Sequence, residues 1–129
     1  MASHARFTLA ARLRSFRPAF HGLFLLVVRE HNAWIHAAAT VLVIALGALV
    51  GLTRVEWALV TLAIAAVWAA EALNAAIERL GDAVTEKDHP LVGAAKDFGA
   101  AGVLACSIGA AGVGLLVLGP RILSALAAW

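Results

Sequence analysis

Cysteine, charge and nucleotide-binding motifs are what this 129-residue chain has little of. Cys106 is its single cysteine, which excludes an intramolecular disulfide and a cysteine-based zinc site. Charged residues make up 14%, against about 25% in a soluble domain. The formal net charge is only +2, so there is no broad basic surface for nucleic acid. No GxxxxGK[ST] loop, no GxSxG elbow and no protein-kinase signature set is present. A nucleotide would have to be held by side chains and metal. Internal repeats and low-complexity linkers are absent as well.

What is present is apolar: 63% of the residues are hydrophobic. That excludes disorder, and the length is too short for two ordinary domains. Three charge-poor stretches, 33–52, 57–77 and 98–119, are each long enough to cross a hydrocarbon core of about 30 Å. The expectation is an all-α integral membrane protein, one membrane domain over 1–129. Thr53 to Glu56 should join the first two spans as a tight antiparallel hairpin. A long charged loop of about 20 residues should join the second to the third.

Residues 10–30 read differently. Phe16, Phe20, Leu23 and Val27 share one helical face, with Arg14, Arg17 and His21 opposite. This pattern suits an amphipathic helix lying on the membrane surface. Pro18 is expected in its first turn or at a break. A cleaved signal peptide is not expected, because no apolar core precedes a small-residue cleavage site.

Arg6, Arg12, Arg14, Arg17, Arg29, Arg79, Lys87 and Lys96 would lie on one side, and only Arg54 and Arg121 on the other. The positive-inside rule then places the N-terminus and long loop in the cytoplasm. Trp34, Trp57 and Trp129 fall near span ends, as in an aromatic belt. Gly47 with Gly51, Gly102 with Cys106 and Ala105 with Gly109 have small-xxx-small spacing, which favours close helix packing and oligomerisation.

The second span carries the chemistry. Glu71, Asn74, Glu78 and Asp82 fall within an arc of about 80° on one helical face. Glu71 lies about 21 Å along the helix from Trp57, at inner-leaflet depth. An ionisable residue inside a span is a functional hypothesis by default, here a proton acceptor for a hydroxyl held at headgroup depth. Interhelical pairing is the alternative use of the same residue. Glu30 and Glu78 share an interfacial depth and offer hard oxygen donors suited to Mg²⁺, although either alone would serve as a solvated charge. Lys96 stands where an ammonium could meet phosphate, and snorkelling would also account for it. His36 reads as a packed or interfacial histidine, and Trp68 as packing.

The stretch Glu71-Ala-Leu-Asn-Ala-Ala-Ile-Glu78, with Asp82, His89-Pro90-Leu91 and Ala95-Lys96-Asp97 behind it, resembles the prokaryotic diacylglycerol kinase family, which includes the undecaprenol kinases. Ala19-Phe20-His21-Gly22, Arg29-Glu30-His31-Asn32 and Ile35-His36 extend the likeness, which spans roughly Phe16 to Gly119. The resemblance implies a homotrimeric enzyme of the bacterial inner membrane, with its active site cytoplasmic. It implies transfer of the ATP γ-phosphoryl group to a lipid hydroxyl, diacylglycerol or undecaprenol, with Mg²⁺ as cofactor.

By motif matching, Glu71 takes the general-base position, and Glu30 and Glu78 the metal positions. The two metal acids with Asn74, Asp82, Glu86, His89, Lys96 and Asp97 match the nucleotide site. Glu71 with His31, Asn32, Trp34 and Ile35 matches the lipid-acceptor region. Three departures stand out: Pro18 in place of an aromatic residue, Trp34 in place of a polar one, and Leu80-Gly81 in place of Val-Val. A non-enzymatic membrane assembly or regulatory protein, with Glu71 and Asn74 as interhelical glue, is the competing reading.

Overall fold

The computed structural model describes residues 9–127; the side chains of residues 9–13 and 15 lie outside the description. Its four helices are α1 (Leu9–Arg29), α2 (His31–Val50), α3 (Arg54–Val84) and α4 (Pro90–Ala127). α2, α3 and α4 are each long and apolar enough to cross a membrane. Trp129 lies outside the described residues, and with it one corner of the expected aromatic belt.

Gly51 ends α2 in the left-handed region, at φ 71°, and its N–H reaches back to the Gly47 carbonyl. Two residues later α3 starts with a capping box. The Thr53 hydroxyl accepts from the Glu56 N–H, and the Glu56 carboxylate accepts from the Thr53 N–H at 2.7 Å. The glycine pair at 47 and 51 therefore divides its work between packing and capping. Gly47 is buried, and a Cβ there would stand 2.9 Å from Leu52 Cδ1 and 3.0 Å from Trp57 Cη2. Trp57 accordingly packs against the apolar cluster of Leu52, Val60, Val117 and Leu118. Gly102 and Gly109 face open space within this single chain.

Contacts run in opposite order along neighbouring helices, which makes them antiparallel. From α2 to α3 they are Gly47 with Trp57, Thr40 with Trp68 at 3.1 Å, and His36 with Glu71. From α3 to α4 they are Glu56 with Arg121, Asn74 with Gly99, and Asp82 with Lys96. The Arg121 guanidinium donates twice to Glu56, at 3.0 and 2.9 Å. Asp82 and Glu56 are about 39 Å apart along α3, more than a hydrocarbon core of about 30 Å. One ion pair thus ties α3 to α4 near each end.

The charged segment between α3 and α4 is not a long loop. Only Thr85–His89 is non-helical; α3 continues through Val84 and α4 begins at Pro90. The reason is that the two helices keep touching beyond their apolar stretches. A Cβ at Gly81 would come within 2.9 Å of Lys96 Cε and 3.0 Å of Val92 Cγ1. The Leu80-Gly81 departure thus coincides with a close helix approach.

Pro18 neither starts nor breaks α1, which opens at Leu9 and runs on to Arg29. Proline removes one backbone bond, to the Arg14 carbonyl. Arg14 is exposed, so solvent or headgroups can take that carbonyl. Phe16, Phe20, Leu23 and Val27 are exposed, and α1 touches the bundle instead through Leu26, buried against Ala33 and Ala75.

Candidate functional site

The α3 stripe begins with two polar residues that are among the best buried in the protein: Glu71 is 2% exposed and Asn74 6%. Both line a cavity of about 290 Å³ with Glu78, closed by Asn32, Ile35 and His36 of α2 and by Ser107 of α4. Asn74 Nδ2 donates to Glu78 Oε1 at 2.8 Å, one helical turn away. Asn74 Oδ1 points at α4, and a Cβ on Gly99 would collide with it. Glycine at 99 is what gives the amide its room.

Among the described residues, three buried oxygens of cavity-lining side chains have no hydrogen-bond partner: Glu71 Oε2, Asn74 Oδ1 and Ser107 Oγ. Buried polar atoms are nearly always paired, so unpaired ones mark a place for function rather than packing. The nearest cation-forming group to Glu71 is His36, with Nε2 3.7 Å from Oε2.

Glu30 stands at the joint between α1 and α2, in extended conformation at the N-cap of α2. An N-cap side chain ordinarily accepts from the first turn, and Glu30 makes no such bond. Its Oε1 instead accepts from Arg79 Nη2 of α3 at 2.7 Å. Glu30 and Glu78 therefore each have one oxygen engaged. Their other oxygens accept no hydrogen bond among the described residues. The free oxygens of Glu30 and Glu78 are hard donors of the kind Mg²⁺ takes, an ion that keeps several waters of its own.

A wider cleft of about 650 Å³ opens at the same end of the bundle. It gathers Asp82, Glu86, His89 and Lys96, with Lys96 Nζ 2.5 Å from Asp82. Four of the expected nucleotide residues thus meet in one cleft, and Asn32, Ile35, Glu71, Asn74 and Glu78 meet in the neighbouring cavity.

Four expected residues line neither space: Glu30, at the α1–α2 joint, and three more. Trp34 is 62% exposed, and its indole donates to the Val27 carbonyl at 2.6 Å. His31 is exposed and stacks on Trp34, with ring centroids 6.2 Å apart. Asp97 is exposed and lines neither cavity. The expectation missed His36, Arg79, Gly99 and Ser107 as parts of the site. Helical spacing puts Gly99 and Ser107 near one face of α4, but their partners are on α3, so spacing within one helix carried no signal. His36 had one available signal, an ionisable group inside an apolar run.

Three helices long and apolar enough to cross a membrane surround a carboxylate-bearing cavity beside a charged cleft, so the candidate site lies at one end of these helices. The prokaryotic diacylglycerol kinase family model matches residues 17–118. The chain belongs to that family and is a multi-pass membrane lipid kinase. It is 38% identical over 109 residues to the undecaprenol kinase of Bacillus subtilis (strain 168), covering 84% of this chain and 89% of that protein. Membership decides between the two readings in favour of the enzyme.

Proposed function

We propose that the protein transfers the γ-phosphoryl group of ATP, with Mg²⁺, to the hydroxyl of a membrane lipid alcohol, undecaprenol first and diacylglycerol second. The observation that carries this reading is Glu71: a carboxylate buried within an apolar helix, with an unpaired oxygen on a cavity shared with Asn74 and Glu78. The name of the Bacillus subtilis relative supports undecaprenol as acceptor.

In this mechanism the acceptor hydroxyl enters the cavity from the bilayer, Glu71 takes its proton as the oxygen attacks the γ-phosphorus in line, and the bond from that phosphorus to the bridging oxygen breaks to release ADP. General-base assistance of this kind contributes about 10²- to 10⁴-fold. The nucleotide lies in the cleft of Asp82, Glu86, His89 and Lys96. Lys96 exchanges Asp82 for phosphate oxygens, which a flexible ammonium does readily. Glu30 and Glu78 would hold Mg²⁺, which would supply neutralisation of phosphate charge, and Asn74 orients Glu78 through its Nδ2 bond. Asn32 and Ile35 contact the lipid at the cavity, with His31 and Trp34 on the exposed face of α2 beside them. The site faces the cytoplasm from the bacterial inner membrane. A homotrimer assembles through the apolar faces that one chain leaves uncovered, Gly102 and Gly109 among them.

The test is purified protein with ATP and Mg²⁺, offered undecaprenol, diacylglycerol and ceramide separately. Phosphate should pass to undecaprenol with the highest kcat/KM. Transfer to diacylglycerol alone would reassign the acceptor, and transfer to none of the three would sink the reading.

A further inference from the structure

The Glu71 carboxylate has a problem that α3 does not solve. Its Oε2 is fully buried and accepts no hydrogen bond among the described residues. The last torsion of a glutamate is broad, so a carboxylate without a partner swings unless something fixes it. A general base needs its accepting oxygen within hydrogen-bond reach of the hydroxyl, and misplacement by about 1 Å costs about 100-fold.

Among the described residues, His36 is the side chain placed to do this. It projects from α2, and its Nε2 faces Oε2 at 3.7 Å. That is about half an ångström beyond a hydrogen bond, a gap that a small side-chain rotation closes. No hydrogen bond from His36 to another group competes for the ring among the described residues. The ring also lines both the Glu71 cavity and an apolar groove of about 320 Å³ between α2, α3 and α4. It therefore stands at the junction between apolar surroundings and the reacting group.

We propose that His36 is a positioning residue for the phosphoryl transfer: its Nε2–H holds Glu71 Oε2 and so fixes the carboxylate for the lipid hydroxyl. Neutral imidazole suffices, since Nε2 donates and the carboxylate accepts. The proposal rests on the reading of Glu71 as base.

The test uses the full-length protein in lipid nanodiscs. His36→Ala should lower kcat about 10- to 100-fold and leave KM for ATP unchanged, because the nucleotide cleft is not touched. His36→Gln retains an N–H donor and should recover most of the loss. A kcat for His36→Ala equal to the parent's overturns the proposal, and so does His36→Gln no better than His36→Ala in protein of parental oligomeric size. Glu71→Gln in the same assay keeps the two readings apart. If it retains full turnover, the base assignment falls. If it is inactive while His36→Ala is unimpaired, only the role of His36 falls.

Discussion

Asn74 on α3 is seated against Gly99 on α4 so closely that its Oδ1 occupies the space of a missing methyl group. Its other amide atom, Nδ2, is bonded to Glu78. Any side chain at 99 therefore displaces the residue that orients a candidate metal acid. Gly99→Ala should lower kcat about 10- to 100-fold, with a small change in stability, because the amide can swing away at the expense of Glu78. Steady-state rates and a detergent unfolding curve on the same sample check both halves.

Glu71→Gln keeps shape and removes the base. Turnover should fall about 10²- to 10⁴-fold, with the oligomer intact on size exclusion. Loss of the oligomer along with activity would return Glu71 to the role of interhelical contact.

Glu30 spends its side chain on Arg79 rather than on capping α2. Glu30→Gln keeps the length and loses the charge, so the Mg²⁺ concentration for half-maximal rate should rise at least about tenfold. Arg79→Ala frees Glu30 from a competing cation and should shift the same midpoint the other way. A Mg²⁺ titration of both variants reads the two directions. Identical midpoints would remove Glu30 from the metal site.

At the far end, before the apolar run that starts at Trp57, Arg121 and the Thr53 cap hold the Glu56 carboxyl down to about 2, below its ordinary 4.5. A depressed carboxylate stabilises the fold fully above its unfolded value and loses that contribution as pH falls through the folded one. The thermal midpoint of the parent should therefore decline between about pH 4.5 and 2, with a shallower decline in Glu56→Gln. Activity at neutral pH should be nearly unchanged in that variant.

Sequence carried the spans and the α3 stripe clearly, because apolar runs and i, i+3, i+4 spacing are local properties. The hairpin linker from Thr53 to Glu56 is also a capping box, and its spacing is a local property of the same kind. The extent of α3 and α4 was not readable. Beyond Ile77 the helix is charged, and what keeps it helical is contact across the pair, such as Gly81 against Lys96. His36 and Gly99 stayed hidden for the same reason: each matters through one residue on another helix, so the register between helices had to be known first.

The ion pairs at the two ends of α3 and α4 also restrict how this bundle can move. A helix slides past its neighbour in steps of about 5.4 Å, one turn. Such a step would part Glu56 from Arg121 and Asp82 from Lys96 together. A piston stroke between these helices is therefore the motion the architecture resists most. The joint at Glu30, where α1 meets α2 in extended backbone, is tied in turn by the Arg79 bond and by the Trp34 indole on the Val27 carbonyl. The α3–α4 pair is thus a fixed frame with the cavity and the charged cleft at one end.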